Sequence, residues 1–281
     1  MLRRWCVLLA VLAVTVGTAL SAGTASAATG ALTGHAGFGG GGWPWPPPGT
    51  QNWVPGGPVN LVGRTFSSKA GQAESTNWSG YAGTTGTYTS VSANWIQPKG
   101  TCTSGDQYAA FWVGLDGYSS STVEQTGSEV DCVGRTAEYY AWYEAYPNAS
   151  VNYNNTVKAG DSFTSTVTYT GSNKFSLYID DVTEKWSHTT VVTVANAARS
   201  SAEVIAEAPC CTFLGGILPL TNFGTMNFTG SMANGADLGA AGGLTEITMI
   251  DTFGRDKDTV TALTPSGVTG QNFGCTFVRS S

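Results

Sequence analysis

Short runs rich in Val, Thr, Tyr, Phe and Trp recur along this chain, each closed by glycine or by an Asn, Asp or Ser turn. β-branched and aromatic side chains suit a pleated, half-buried surface, and punctuation this close gives a helix no room to grow. Strands are therefore expected near 91–95, 109–115, 122–129, 137–146, 162–169 and 174–179. Others are expected near 189–194, 202–207, 226–228, 246–251, 259–263 and 274–278. Turns such as Asp116-Gly117, Gly160-Asp161 and Gly171-Ser172-Asn173 separate them. The pattern predicts an all-β fold: a two-sheet antiparallel β-sandwich.

The N-terminal quarter reads differently. Arg3 and Arg4 precede an apolar run through Trp5, Val7, Leu8, Leu9, Val11 and Leu12 that decays into Ala25-Ser26-Ala27. This is the pattern of a secretory signal peptide over residues 1–27, and it predicts an extracellular protein. Residues 37–42 are nearly all glycine and 43–48 read WPWPPP, where glycine entropy and proline's missing donor oppose regular structure. Residues 28–73 therefore read as a pro-segment or linker, and 74–281 as the folded domain. All 19 acidic residues and nine of the 13 basic ones lie in that domain, which carries −10, while the segment holds only Arg64 and Lys69. Such a segment would be held partly by charge and loosened as carboxylates protonate.

The acidic balance argues against nucleic acid or an anionic membrane surface as a partner. After the signal no segment approaches the ~20 apolar residues of a membrane span, and a monomer is expected. Charged residues make up only 11% of the chain, so few ion pairs would be lost on acidification. In an exported domain disulfides are the default for Cys102, Cys132, Cys210, Cys211 and Cys275. Cys102 and Cys132 bracket an expected strand pair, and a second bridge is expected from Cys275 to Cys210 or Cys211. Neither a C-x-x-C nor an H-x-x-x-H pair occurs, so no metal or other cofactor is expected.

Period-two arithmetic assigns side chains to faces. Tyr140, Trp142, Glu144 and Tyr146 share one side of their strand, opposite Tyr139, Ala141, Tyr143 and Ala145. Val123, Gln125, Gly127 and Glu129 share a side, as do Glu203, Ile205 and Glu207. An inner face excludes carboxylates, so these Glu-bearing faces are expected to line a cleft. The usual hydrolytic machines are missing. There is no G-x-S-x-G elbow, and His188, the one histidine of the domain, reads as a surface strand or turn residue. Asp251-Thr252-Phe253-Gly254 only approaches the Asp-Thr-Gly signature of aspartic proteases.

Carboxylates plus an amide remain. A glutamate titrating at ~4.3 serves as general base in acid, where its conjugate acid can also protonate a leaving amine. A glutamine does not titrate there, so its NH2 can donate to an oxyanion and its C=O can hold a water at any acidity. Glu207 and Gln125 are thus a sensible pair for peptide hydrolysis in acid.

Asn77-Trp78-Ser79-Gly80, Trp112-Val113-Gly114-Leu115-Asp116-Gly117, Gln125-Thr126-Gly127, Trp142-Tyr143-Glu144-Ala145-Tyr146-Pro147 and Ala202-Glu203-Val204-Ile205-Ala206-Glu207 occur in this order. In them the chain resembles the glutamic peptidases, or eqolisins; beyond Pro209 the likeness is only compositional. The resemblance implies a sandwich of two seven-stranded sheets, of the concanavalin A-like, lectin-like kind. It also implies a secreted, acid-active, pepstatin-insensitive endopeptidase that takes polypeptide substrates and needs no metal. It implies that Glu207 is the general base, later the acid, and that Gln125 orients the water and stabilises the tetrahedral intermediate. Trp112, Asp116, Glu129, Trp142 and Glu144 would then support the pair or line the substrate cleft. Glu129 and Tyr140 stand where the family has Asp, and the loop from Asp116 to Gln125 is one residue shorter. The rival expectation is a carbohydrate-binding sandwich, or a glycoside hydrolase using two of Glu144, Glu203 and Glu207.

Overall fold

The computed structural model describes residues 58, 59, 61, 71–210 and 216–281. The expected signal peptide and almost all of the 28–73 segment, Arg64 and Lys69 included, lie outside the described residues. The first strands are β1 (Gln72–Ser75), β2 (Trp78–Gly83), β3 (Ser90–Ile96), β4 (Gln107–Leu115), β5 (Val123–Val133), β6 (Thr136–Tyr146), β7 (Val151–Asn152) and β8 (Ser162–Gly171). Then come β9 (Lys174–Asp181), β10 (Trp186–Thr193), β11 (Ala202–Glu207), β12 (Thr225–Ala233), β13 (Ala236–Asp237), β14 (Thr245–Met249), β15 (Asp258–Val260) and β16 (Phe273–Phe277). Every run expected from the sequence is a strand. β1, β2, β7 and β13 are additional; β2, reading WSGYAG, hides behind small residues of low strand propensity.

Two sheets form, in the orders β1-β14-β2-β11-β4-β5-β6-β7 and β10-β9-β8-β3-β12-β16-β15, with β13 paired to β12. Each therefore has eight strands rather than seven, the two-residue β7 and β13 among them. Pairing is antiparallel except between β1 and β14. Between the sheets Phe111, Val113, Leu115 and Val204 meet Trp95, Phe163, Phe175, Leu177 and Phe228, all buried. Each contributes on the order of 1.5–3 kcal/mol by leaving water. Trp95 stacks on Phe163 at 5.7 Å and donates its indole N–H to Ser128 Oγ at 2.8 Å, so its polar atom is satisfied inside the core.

The Cys102–Cys132 disulfide is present. The second expected bridge does not form: Cys210 is disulfide-bonded, but Cys275 is a free, buried thiol. Strand geometry explains this, because Cys275 faces inward from β16 and joins the core between the sheets.

The outer face of the second sheet behaves as expected, with buried and half-exposed residues alternating along β3, β8 and β9. The first sheet departs from this. β2 and β11 are buried at every position, and β5 at every position but Val133. Its outer face carries a second apolar cluster of Trp78, Ala82, Ala110, Trp112, Val123, Trp142, Ile205 and Ile247.

Candidate active site

Strand register arranges that outer face in rows. Glu207, Ala110, Glu129 and Tyr140 lie side by side across β11, β4, β5 and β6. Ile205, Trp112, Gly127 and Trp142 make the next row, and Glu203, Gly114, Gln125 and Glu144 the third. The glycines make room for the indoles: a Cβ on Gly127 would fall 2.5 Å from Trp112 Cβ, and one on Gly114 would fall 2.8 Å from the Trp112 ring. Trp112 in turn meets Trp78 edge to face, with centroids 4.9 Å apart. The aromatic floor thus dictates where glycine appears in the Trp-Val-Gly and Gln-Thr-Gly motifs.

Glu207 stands on this floor with its carboxylate held by two donors. Trp112 Nε1 donates to Oε2 at 2.8 Å, and Asn77 Nδ2 donates to Oε1 at 3.3 Å. Asn77 is fixed by Ser75, whose Oγ donates to Asn77 Oδ1 at 2.8 Å and accepts the Asn77 and Trp78 backbone N–H groups. The Gln125 amide donates from Nε2 to Glu144 Oε2 at 2.8 Å.

Register places Gln125 in the row of Glu203, two rows from Glu207 on the same face. Burial pushes Glu144 well above the usual carboxylate range, and the next cause is the charge of Glu207. Glu203 is also pushed well up by burial, but the carboxylates it feels are Asp116 and Glu124. Glu144 thus feels the Glu207 charge and holds Gln125, while Glu203 feels Asp116 and Glu124.

The remaining expected site residues divide. Trp112 and Trp142 form the floor, fully buried. Glu129 lies on the site's face but couples to Asp131: burial lifts Glu129 to about 7 and Asp131 well above its ordinary value, the latter further raised by the Glu129 charge. The Tyr140 hydroxyl donates to Asp131 Oδ2, so the residue standing in place of a family Asp caps this carboxyl pair. Asp116 does not line the cleft. Its carboxylate accepts the backbone N–H groups of Arg199 at 2.7 Å and Ser200 at 2.9 Å, tying down the turn that leads into β11. His188 is a surface strand residue, stacked on Tyr153 at 4.3 Å and bonded through Nε2 to Asn155 Oδ1 at 2.7 Å.

Sequence reasoning missed Asn77 as a holder of Glu207, although Asn77-Trp78-Ser79-Gly80 had been singled out. It also missed Glu124, a fully buried carboxyl that burial and then Asp116 raise to about 8. Glu124 pairs with Leu115 and Ala145, which belong to the inter-sheet core, so the rule that inner faces exclude carboxylates fails there.

The profile of the peptidase A4 family matches residues 76–277, most of the chain. The chain belongs to the peptidase A4 family. The match runs well past Pro209, where the motifs give out. Aspergillopepsin-2 of Aspergillus niger is 28% identical over 240 residues, covering 82% of this chain and 78% of that protein. Scytalido-glutamic peptidase, solved with a transition state analog inhibitor, shares the fold at a TM-score of 0.61 and 22% identity, covering 72% of this chain and 98% of its own. Aspergilloglutamic peptidase from Aspergillus niger aligns with a TM-score of 0.52 and 24% identity over 61% of this chain and 99% of its own. As a member of the peptidase A4 family the protein is a glutamic endopeptidase and its substrates are polypeptides. The carbohydrate reading gives way to that membership.

Proposed function

We propose that Glu207 and Gln125 are the hydrolytic pair of a secreted, acid-active, pepstatin-insensitive endopeptidase. The observation that carries this reading is a doubly held carboxylate, Glu207, on the same buried face as an amide held by Glu144. Glu207 takes a proton from water as the water oxygen bonds to the scissile carbonyl carbon, and the carbonyl electron pair moves onto oxygen. Gln125, held through its Nε2 by Glu144, stabilises the oxyanion as an amide donor that does not titrate. Glu207, now protonated, returns the proton to the amine as the C–N bond breaks. Neither step calls for a metal.

The test is hydrolysis of a denatured protein by the mature secreted enzyme between pH 2 and 7, with and without pepstatin, beside Glu207→Ala and Gln125→Ala. Activity in acid that resists pepstatin and vanishes in Glu207→Ala is expected. Full activity in Glu207→Ala would overturn the assignment.

A further inference from the structure

Of the five tryptophans among the described residues, three use their indole N–H. Trp95 donates to Ser128 Oγ at 2.8 Å, Trp112 to Glu207 Oε2 at 2.8 Å and Trp186 to the Thr156 carbonyl at 3.0 Å. Trp78 and Trp142 are fully buried, and their Nε1 atoms make no hydrogen bond among the described residues. A buried donor left unpaired costs about 1–3 kcal/mol, and phenylalanine would cover the same floor without that cost. The two idle N–H groups therefore call for an acceptor that the described fold does not supply.

Both stand beside the proposed pair. Trp78 of β2 is the cross-strand neighbour of Glu207 of β11, in the same row of the outer face. Trp142 of β6 lies opposite Gly127 and two residues from Glu144, which holds Gln125. In the strand order β2-β11-β4-β5-β6 the face therefore presents Trp78, Glu207, Trp112, Gln125 and Trp142 in turn. The base and the amide are flanked by one idle indole on each side. Trp78 cannot swing away to find a partner: it packs edge to face on Trp112 at 4.9 Å, and a Cβ on Gly117 would fall 2.9 Å from its ring. The two indoles are as buried as Glu207 and Gln125, so a polypeptide that reaches the pair reaches them too.

We propose that the indole N–H groups of Trp78 and Trp142 receive main-chain carbonyls of the substrate on opposite sides of the scissile bond. This rests on the proposed function of Glu207 and Gln125. A polypeptide carries an acceptor at every residue, which is what two fixed donors need. β2 and β6 lie four inter-strand spacings apart, roughly 19 Å, a span that an extended chain covers in about six residues. The substrate then lies across the strands with its scissile bond over Trp112 and a held carbonyl on each flank. Recognition through the main chain asks for length and extension rather than for particular side chains, which suits cleavage inside an unfolded chain. Trp78 and Trp142 are positioning residues: they fix the peptide against the pair and carry no proton in the reaction.

The test uses the secreted enzyme and an octapeptide substrate in which each non-scissile carbonyl in turn becomes a thiocarbonyl, a much weaker acceptor. Cleavage is followed by mass spectrometry. In the wild type, one replacement on each side of the scissile bond should lower kcat/KM about tenfold, the scale of one well-made hydrogen bond. Replacing Trp78 by benzothienylalanine keeps the bicyclic ring and puts sulfur where the N–H was. It should abolish the penalty on one side only, and the same replacement at Trp142 should abolish the other. A replacement that slows every substrate alike overturns the proposal, since a purely structural indole would do that. So does a wild-type scan that is flat away from the scissile bond, a result that depends on no variant folding. Calorimetric Kd values of the same peptides for Glu207→Ala separate this proposal from the one beneath it. The same carbonyl pattern in Kd, with Glu207→Ala as active as wild type, keeps the indole contacts and removes the assigned base. No pattern in either readout, with Glu207→Ala inactive, keeps the base and removes the indole contacts.

Discussion

The two outer faces of this sandwich differ in kind. On the second sheet Ser92, Asn94, Thr164, Thr166, Thr168, Ser176 and Tyr178 alternate with core residues and stay half exposed. On the first sheet the equivalent positions hold tryptophans, a glutamine and glutamates, and they are buried. A solvated face can be hydroxyl-rich because water satisfies it. A covered face must hold its polar groups internally; this one pairs Glu207 with Trp112 and Asn77 and Gln125 with Glu144, while the indole N–H groups of Trp78 and Trp142 make no hydrogen bond among the described residues. Substitutions on the first face should therefore change chemistry, and those on the second almost nothing.

The largest effect is expected at the pair itself. Glu207→Ala should lower kcat by about 10³-fold or more, the scale of a lost general base, and Gln125→Ala by about 10²-fold, the scale of a lost oxyanion donor. Circular dichroism should show both folded. If Gln125→Ala instead raised KM with kcat unchanged, the amide would be a binding group.

Next comes stability against pH, where the core joins the comparison. Asp258 is fully buried, accepts the Ser79 hydroxyl, and is lifted from 3.8 to about 7 chiefly by burial. Its folded form holds a proton that the unfolded form gives up near pH 4. The stability it allows is therefore complete below about pH 4 and is lost as pH rises to about 7, by up to about 4 kcal/mol. Glu124, lifted to about 8, acts in the same direction. Denaturant midpoints should fall between pH 4 and 8, and Asp258→Asn should flatten that slope. An equally steep slope in Asp258→Asn would clear Asp258 of the role.

Glu144→Gln tests how the site's polar groups support one another. A neutral amide keeps an acceptor for Gln125 but cannot ionise, so about a tenfold loss of kcat at most is expected. The alkaline limb of the kcat profile should also shift, because burial and Glu207 hold the Glu144 proton well above its ordinary range. A purely structural Glu144 would leave that limb in place.

How far the sequence discloses all this follows the same division. Strands of the second sheet are readable because one face is wet, so polarity alternates; the faces of Trp142, Gln125 and Glu207 were readable by the same arithmetic. β2 was not, because glycine and serine in WSGYAG carry no periodic signal. Their reason lies across the sheet, where a Cβ on Gly80 would strike the carbonyl oxygen of Val204. Asp116 sits in a family motif, but its motif cannot say that its oxygens face the Arg199 and Ser200 amides. Cys102–Cys132 was readable, but the bridge expected from Cys275 was not: bridging depends on which way Cys275 points, and spacing does not encode direction.

The smallest expected effect completes the comparison. Thr166 sits mid-strand on β8, half exposed, between Ser92 and Tyr178 on the open face of the second sheet. Thr166→Ala removes a hydroxyl that water can replace and a methyl that covers little apolar surface, so stability should change by less than about 0.5 kcal/mol and kcat not at all. Trp142→Ala, at a comparable mid-strand position on the covered face, deletes a fully buried indole and should cost about 3–5 kcal/mol in urea unfolding. The contrast holds only if the second face is bare in solution. A loss of 2 kcal/mol or more in Thr166→Ala would mean that this face, too, is packed against something, and that the two outer faces are less different than their residues suggest.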